Sequence, residues 1–285
     1  MKIIIIGAAG FLGTKLMKTL SENHEVIGAD INGDGQEIYN LDATKLIQTR
    51  TFLFEHKPDI VIDTVALTSS LACEKDPELA EKLIYLTAKN IADACREIGS
   101  IMIFISSTYT FDGEKGDYKE EDVQKPLNIY GVQKIKAEKE VLKLKNSIVF
   151  RIDIMYGYNG KNKPNGAFDR ILSGKMMGER SPNQLRQPLF VEDVGRVIIR
   201  LVEKDQSGIF NLAGLDKITN IDFYKKLEKL VREESKIKVI RDENMLVKSP
   251  HNATLDISKL EKLGIRTHSL DQALEIMKTQ ISPSQ

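Results

Sequence analysis

The 285-residue sequence contains no tryptophan and only two cysteines, Cys73 and Cys95. Two thiols are too few for a disulfide framework, so the fold must rest on its apolar core, and reduced thiols point to the cytoplasm. Charge of one sign is also missing: 41 basic residues balance 41 acidic ones, which argues against a nucleic-acid surface built on bulk charge. No apolar stretch approaches the roughly 20 residues of a membrane helix. The opening run is too short for a signal peptide and carries no cleavage site. The four histidines, His24, His56, His251 and His268, lack metal-ligand spacing, so no metal is expected. These absences leave a cytoplasmic globular protein that works on a small molecule, with no nucleic acid and no membrane as partner.

What is present begins with "MKIIIIGAAGFLG". Four isoleucines ahead of Gly7, Gly10 and Gly13 predict a strand buried on both faces, running into a turn that something must approach closely. Strands are expected at 2–6, 24–30, 59–66, 101–107 and 147–152, and helices at 11–21, 43–57, within 75–99 and from 128 to 145. The regular alternation predicts a parallel sheet covered on both faces. After Arg151 the rhythm changes: a glycine- and asparagine-rich loop at 156–166, a helix at 191–204, a strand at 208–214, then short mixed elements with a strand near "IKVI" (237–240). The expectation is a dinucleotide-binding domain over 1–150, to which 191–214 returns, and a smaller substrate lobe formed by 151–190 and 215–285.

The glycine turn lies between a predicted strand and a predicted helix, the context that gives a short glycine motif meaning. Its first glycine allows the tight turn, its second lets the backbone meet a pyrophosphate, and its third lets helix pack on strand. Phe11 and Leu12 then open the helix whose free N–H groups attract the phosphates. Asp30, seventeen residues beyond Gly13, can accept the adenosine ribose hydroxyls and repel a 2′-phosphate. No lysine or arginine occurs in 30–43 to welcome that phosphate. NAD(H) is therefore the favoured cofactor, with NADP(H) as the alternative. The fold class is a Rossmann-type, doubly wound α/β sheet with a smaller C-terminal α/β substrate lobe.

Tyr130 and Lys134 stand four residues apart at the head of a predicted helix, on one face. A cation so placed is expected to lower the phenol pKa and make the tyrosine a proton donor or acceptor at a substrate oxygen. The strand at 101–107 ends in Ser106-Ser107, at the edge where open α/β sheets bind ligands. Adjacent strand residues face opposite ways, so one of these serines faces the site.

Together these residues resemble the extended short-chain dehydrogenase/reductases over nearly the whole chain. The family pattern is G-x-x-G-x-x-G, a Ser or Thr ending the fourth strand, and Tyr-x-x-x-Lys. Gly7, Gly10 and Gly13, then Ser107 (with Phe111 falling on the family's aromatic), then Tyr130 and Lys134 match it. "NLDAT" (40–44) looks like the adenine-contacting segment and implicates Asp42. Within this superfamily the chain is similar to the dTDP-4-dehydrorhamnose reductase family, through 105–134, "FRIDIMYG", "RQPLFVEDV", "GIFNLAG" and "LDISKLEKLG". The resemblance implies reduction of a nucleotide-sugar ketone. Tyr130 would be the general acid, Lys134 would hold the nicotinamide ribose, and Ser107 would orient the carbonyl. Thr108 and Arg186 would contact substrate, and a homodimer would be one assembly. It equally implies two alternatives: an epimerase of the same fold, or a non-catalytic regulatory subunit like the β subunit of methionine adenosyltransferase. Dehydration is disfavoured, because Thr108-Tyr109 replaces the acidic pair that sugar dehydratases carry. The chain departs from the family pattern at 63–70, at Ile84 or Tyr85 where an asparagine is usual, and at Ser249 where an arginine is usual.

Overall fold

The computed structural model describes residues 1–160, 166, 168, 171, 176–231, 236–239 and 245–281. Its first strand, β1 (Lys2–Ile6), is followed by α1 (Phe11–Leu20), β2 (Glu25–Asp30), β3 (Ile38–Asn40), α2 (Leu46–His56) and β4 (Ile60–Asp63). Then come α3 (Ser70–Lys75), α4 (Pro77–Ala80), a π-helical turn (Glu81–Leu86) and α5 (Thr87–Ile98). The predicted single helix within 75–99 is thus interrupted. Asp76 caps Pro77–Ala80 by accepting the Leu79 N–H at 2.9 Å, and a proline opening a helix cannot continue the one before it. β5 (Ile101–Ser107), α6 (Ile129–Val141) and β6 (Ile148–Ile152) complete the alternating part.

The remaining elements are β7 (Met155–Tyr156), β8 (Met176–Arg180), β9 (Leu185–Arg186), β10 (Leu189–Phe190), α7 (Val191–Glu203), β11 (Gly208–Asn211), β12 (Ile218–Thr219), α8 (Asn220–Val231), β13 (Lys236–Val239), α9 (Ser258–Lys262) and α10 (Leu270–Ile281). Among the described residues, seven strands form one sheet in the order β11-β6-β5-β4-β1-β2-β3, and every pairing in it is parallel. The fold class expected from the sequence, a Rossmann-type parallel sheet with helices on both faces, is the one observed.

The opening isoleucines explain the sheet's two layers. Ile3 and Ile5 pack with Leu12, Leu16, Val194 and Ile198 on one face. Ile4 and Ile6 pack with Leu53, Ala92 and Ala137 on the other. Each such side chain taken fully out of water contributes about 1.5–3 kcal/mol. A separate apolar core gathers Tyr156, Phe190, Phe223, Tyr224, Leu270 and Met277. Segment 208–211 joins the main sheet beside β6. Of the loop at 156–166, residues 161–165 lie outside the described residues, as does Ile240 of "IKVI". No helix among the described residues is long and apolar enough to cross a membrane, and no described cluster of His, Cys, Asp or Glu could hold a metal ion.

Strand order reverses direction between β1 and β4. In open α/β sheets the crevice at that reversal, beyond the carboxyl ends of the strands, is where ligands bind.

Candidate active site

The turn after β1 needs its glycines. Gly7 has φ +89°, and a Cβ on Gly13 would stand 2.2 Å from the Gly7 carbonyl oxygen. Gly10 caps α1 without any side-chain hydrogen bond, so the first N–H groups of a ten-residue helix face the crevice uncapped. Two chambers open on either side of this turn, and both are lined by Gly10, Thr64 and Ala66. The smaller, about 180 Å³, has Gly7, Asp30, Leu41, Asp42 and Val65 on its walls. The larger, about 510 Å³, holds Phe11, Leu12 and Gly13 on one side and Ser106, Ser107, Tyr130 and Lys134 on the other. A small, mainly apolar chamber with two carboxylates, a glycine turn with free N–H groups and a larger chamber, in that order, fit an extended dinucleotide.

In the smaller chamber Asp30 accepts the Ala9 N–H at 3.1 Å and the Asn32 N–H at 2.9 Å. Asp42 accepts the Thr44 hydroxyl at 2.6 Å and its N–H at 3.0 Å. Burial pushes the Asp42 carboxyl up, but the Thr44 hydrogen bonds and the Lys45 and Lys82 charges outweigh it and hold the group below its usual range.

In the larger chamber α6 begins at the Asn128 cap, whose side-chain Oδ1 accepts the Gly131 N–H at 2.9 Å. Any side chain at Gly131 would collide with the Tyr109 carbonyl, so glycine there lets α6 close on the turn after β5. Tyr130 meets Tyr109 edge-to-face at 5.6 Å, and Ser107 lies within hydrogen-bonding reach of its phenol. Ser106 turns away and donates to Glu138 instead. Lys134, 2% exposed, donates to the Ile105 carbonyl at 2.7 Å and sits 5.7 Å from the Tyr130 ring centroid.

Spacing alone predicts a lowered Tyr130 pKa. The structure shows the reverse: burial raises it strongly, partly offset by Ser107. The Lys134 ammonium is engaged by the Ile105 carbonyl and does not offset that burial. A phenol held protonated is the state a proton donor requires. Burial also pushes Lys134 down to about 8, against the opposing pull of Asp63 and Glu138.

Thr108 is buried and donates to Asp153 at 3.3 Å. Asp153, on the wall of the larger chamber, is pushed up by burial. Arg186 does not reach the wall: it stands behind Asp153 at 3.7 Å, 5.9 Å from the Tyr109 ring centroid. Its Nε and Nη1 groups are buried without a hydrogen-bond partner, while its Nη2 donates to Gln184 at 2.9 Å. Ser249, at the family's arginine position, accepts from Gln184 at 2.8 Å. Sequence reading missed Asp63, Asp153 and the Glu138–Arg151 pair. The signal was available, since a charged residue inside an apolar strand, as in "IVID" and "IVFRI", marks a buried group with a partner.

A parallel sheet covered on both faces, with a two-chambered crevice at its reversal point, defines a Rossmann-like α/β protein. More narrowly, the family model described as the RmlD substrate binding domain matches residues 1–282, and the chain belongs to that family. A dTDP-4-dehydrorhamnose reductase from Clostridium acetobutylicum superposes with a TM-score of 0.86 at 28% identity, covering 99% of each chain. A dTDP-4-dehydrorhamnose reductase from Aggregatibacter actinomycetemcomitans is 27% identical over 293 aligned positions, 96% of this chain and 97% of that protein. Methionine adenosyltransferase 2 subunit beta of Xenopus tropicalis is 29% identical over 276, covering 93% of this chain and 83% of its own length.

Proposed function

We propose that this protein is an NAD(P)H-dependent reductase of a keto group on a nucleotide sugar. The observation that carries the reading is the convergence of Ser107, Tyr130 and Lys134 on one chamber, facing the glycine turn across it. Residues 1–150 with 191–214 are then the cofactor domain, and 151–190 with 215–285 the substrate lobe; the pairing of β11 with β6 and the separate core around Phe223 support that division. A reduced nicotinamide bound in the larger chamber would supply hydride to the ketone carbon. Tyr130 delivers the proton to the ketone oxygen, and Ser107 donates a hydrogen bond that holds this oxygen in place. Lys134 anchors the nicotinamide ribose and contributes positive charge where negative charge develops.

Asp30 and Asp42 stand together in the smaller chamber. Two carboxylates repel a 2′-phosphate, which supports NADH over NADPH. Arg186, buried and paired with Asp153 at 3.7 Å, braces that wall of the larger chamber rather than meeting the substrate itself. Both cysteines are free and buried, which suits a reducing cytoplasm. A second reading, a cofactor-binding regulatory subunit, is favoured by the likeness to the methionine adenosyltransferase subunit; the intact Ser107, Tyr130 and Lys134 set speaks against it. A panel of 4-keto nucleotide sugars, each assayed for oxidation of NADH and NADPH, tests the reading. Oxidation that depends on one ketone supports it, and cofactor binding with no oxidation across the panel favours the regulatory subunit.

A further inference from the structure

Asp63 ends β4 with its side chain buried, and its Oδ2 has no hydrogen-bond partner. Its other oxygen accepts only the Val65 N–H, at 3.0 Å. A buried carboxylate this poorly satisfied is costly unless a cation compensates it. Parallel register places Asp63 beside Phe104 of β5, and paired residues point to the same face of a sheet. The Lys134 ammonium lies 4.7 Å from the centroid of that same Phe104 ring. The carboxylate and the ammonium therefore flank one aromatic side chain, and Lys134 is the first charge that acts on Asp63.

The other titratable groups around the pair have their own settlement. Glu138, one turn below Lys134 on α6, is bound by Arg151 of β6 at 3.1 and 2.8 Å, by Gln124 at 2.8 Å and by Ser106. Cys73 on α3 and Cys95 on α5 are pushed up by burial to about 11 and 12 and stay neutral. Tyr130 keeps its proton. Asp63 alone among these groups is a buried carboxyl with one oxygen unbonded and no ion pair of its own.

We infer that Asp63 is the buried counter-anion of Lys134, a positioning residue that keeps the ammonium charged behind Tyr130. Its place in the reaction rests on the reductase reading above, whereas the pairing itself does not. An ammonium withdrawn from water tends to lose its proton, and the ionised Asp63 opposes that loss. Asparagine at this position would pack similarly and withdraw the opposition.

The test is a pH titration of the lysine side-chain carbons by NMR in the protein without cofactor, with Lys134 identified through its loss in Lys134→Gln. Asp63→Asn should lower the Lys134 midpoint by about one pH unit or more; an unchanged midpoint overturns the pairing. Should Asp63→Asn fail to fold, the reciprocal experiment decides. In Lys134→Gln the Asp63 carboxyl midpoint should rise, and an unmoved midpoint again overturns the pairing. On an identified substrate, the alkaline limb of kcat/KM should move to lower pH in Asp63→Asn, with activity recovered on acidification. A merely structural Asp63 would lower thermal stability and leave that limb in place. Neither titration requires turnover, so a failed reductase assay and a failed pairing are told apart.

Discussion

Asp42 lines the smaller chamber and Asp63 is buried at the end of β4, and their carboxyl groups are pushed in opposite directions. Asp42, in the smaller chamber, is held below its usual range because Thr44 supplies two hydrogen bonds that, with nearby lysine charges, outweigh its burial. Asp63, behind the larger chamber, is raised to about 7 because burial outweighs the Lys134 charge and one backbone N–H. Under the reduction proposed above, the contrast separates recognition from chemistry. A group that only reads a ribose is best kept ionised by short local bonds. Groups that must hold or release a proton are desolvated and left under-bonded, as Tyr130, Lys134 and Asp63 are.

The sharpest way to break this contrast is at the proton donor. Tyr130→Phe removes one hydroxyl and keeps the ring against Tyr109, so kcat should fall by about 10²–10⁴-fold. Cofactor affinity, followed by fluorescence titration, should stay near that of the parent protein. Next in size is the fully satisfied buried pair. Arg151→Met strands the Glu138 carboxylate and should cost about 3–5 kcal/mol of stability in urea unfolding. Adding Glu138→Leu should recover much of that loss, because two apolar groups need no partners.

A smaller effect follows from Lys134. Its pKa is lowered to about 8, so the ammonium is present below that value and lost above it. Accordingly kcat/KM should decline as pH rises through this range, by about tenfold per unit beyond the limb. The smallest effect belongs to the recognition end. Asp30→Asn removes one of two like charges facing a 2′-phosphate and should narrow the NADH-over-NADPH preference by about fivefold, measured as a ratio of dissociation constants.

The sheet was legible because its signal is local. Ile3 to Ile6 can be buried on both faces only in a central strand, and the glycine turn and Tyr130–Lys134 spacing each sit within a few residues. The break at Pro77 was written in the sequence, whereas the π-helical turn after it, which lies against α6, has no local signal. The direction of the Tyr130 shift was misread, since spacing reports that a lysine is near and is silent on how much water has been removed. Asp63 and Lys134, 71 positions apart in the chain, come to the same Phe104 only because β4 and β5 align in register and α6 packs on β5. Arg186 was expected to contact substrate, yet long-range packing buries it behind Asp153.

Deuteride transfer tests the central claim most directly. The protein is incubated with NADH or NADPH carrying deuterium at the transferred position, together with a 4-keto nucleotide sugar, and the product is weighed by mass spectrometry. The account predicts one deuterium on the sugar alcohol for each cofactor oxidised, and a loss of this label in Tyr130→Phe. An isomerised sugar without deuterium, or a keto sugar returned unchanged beside bound and unoxidised cofactor, would contradict it.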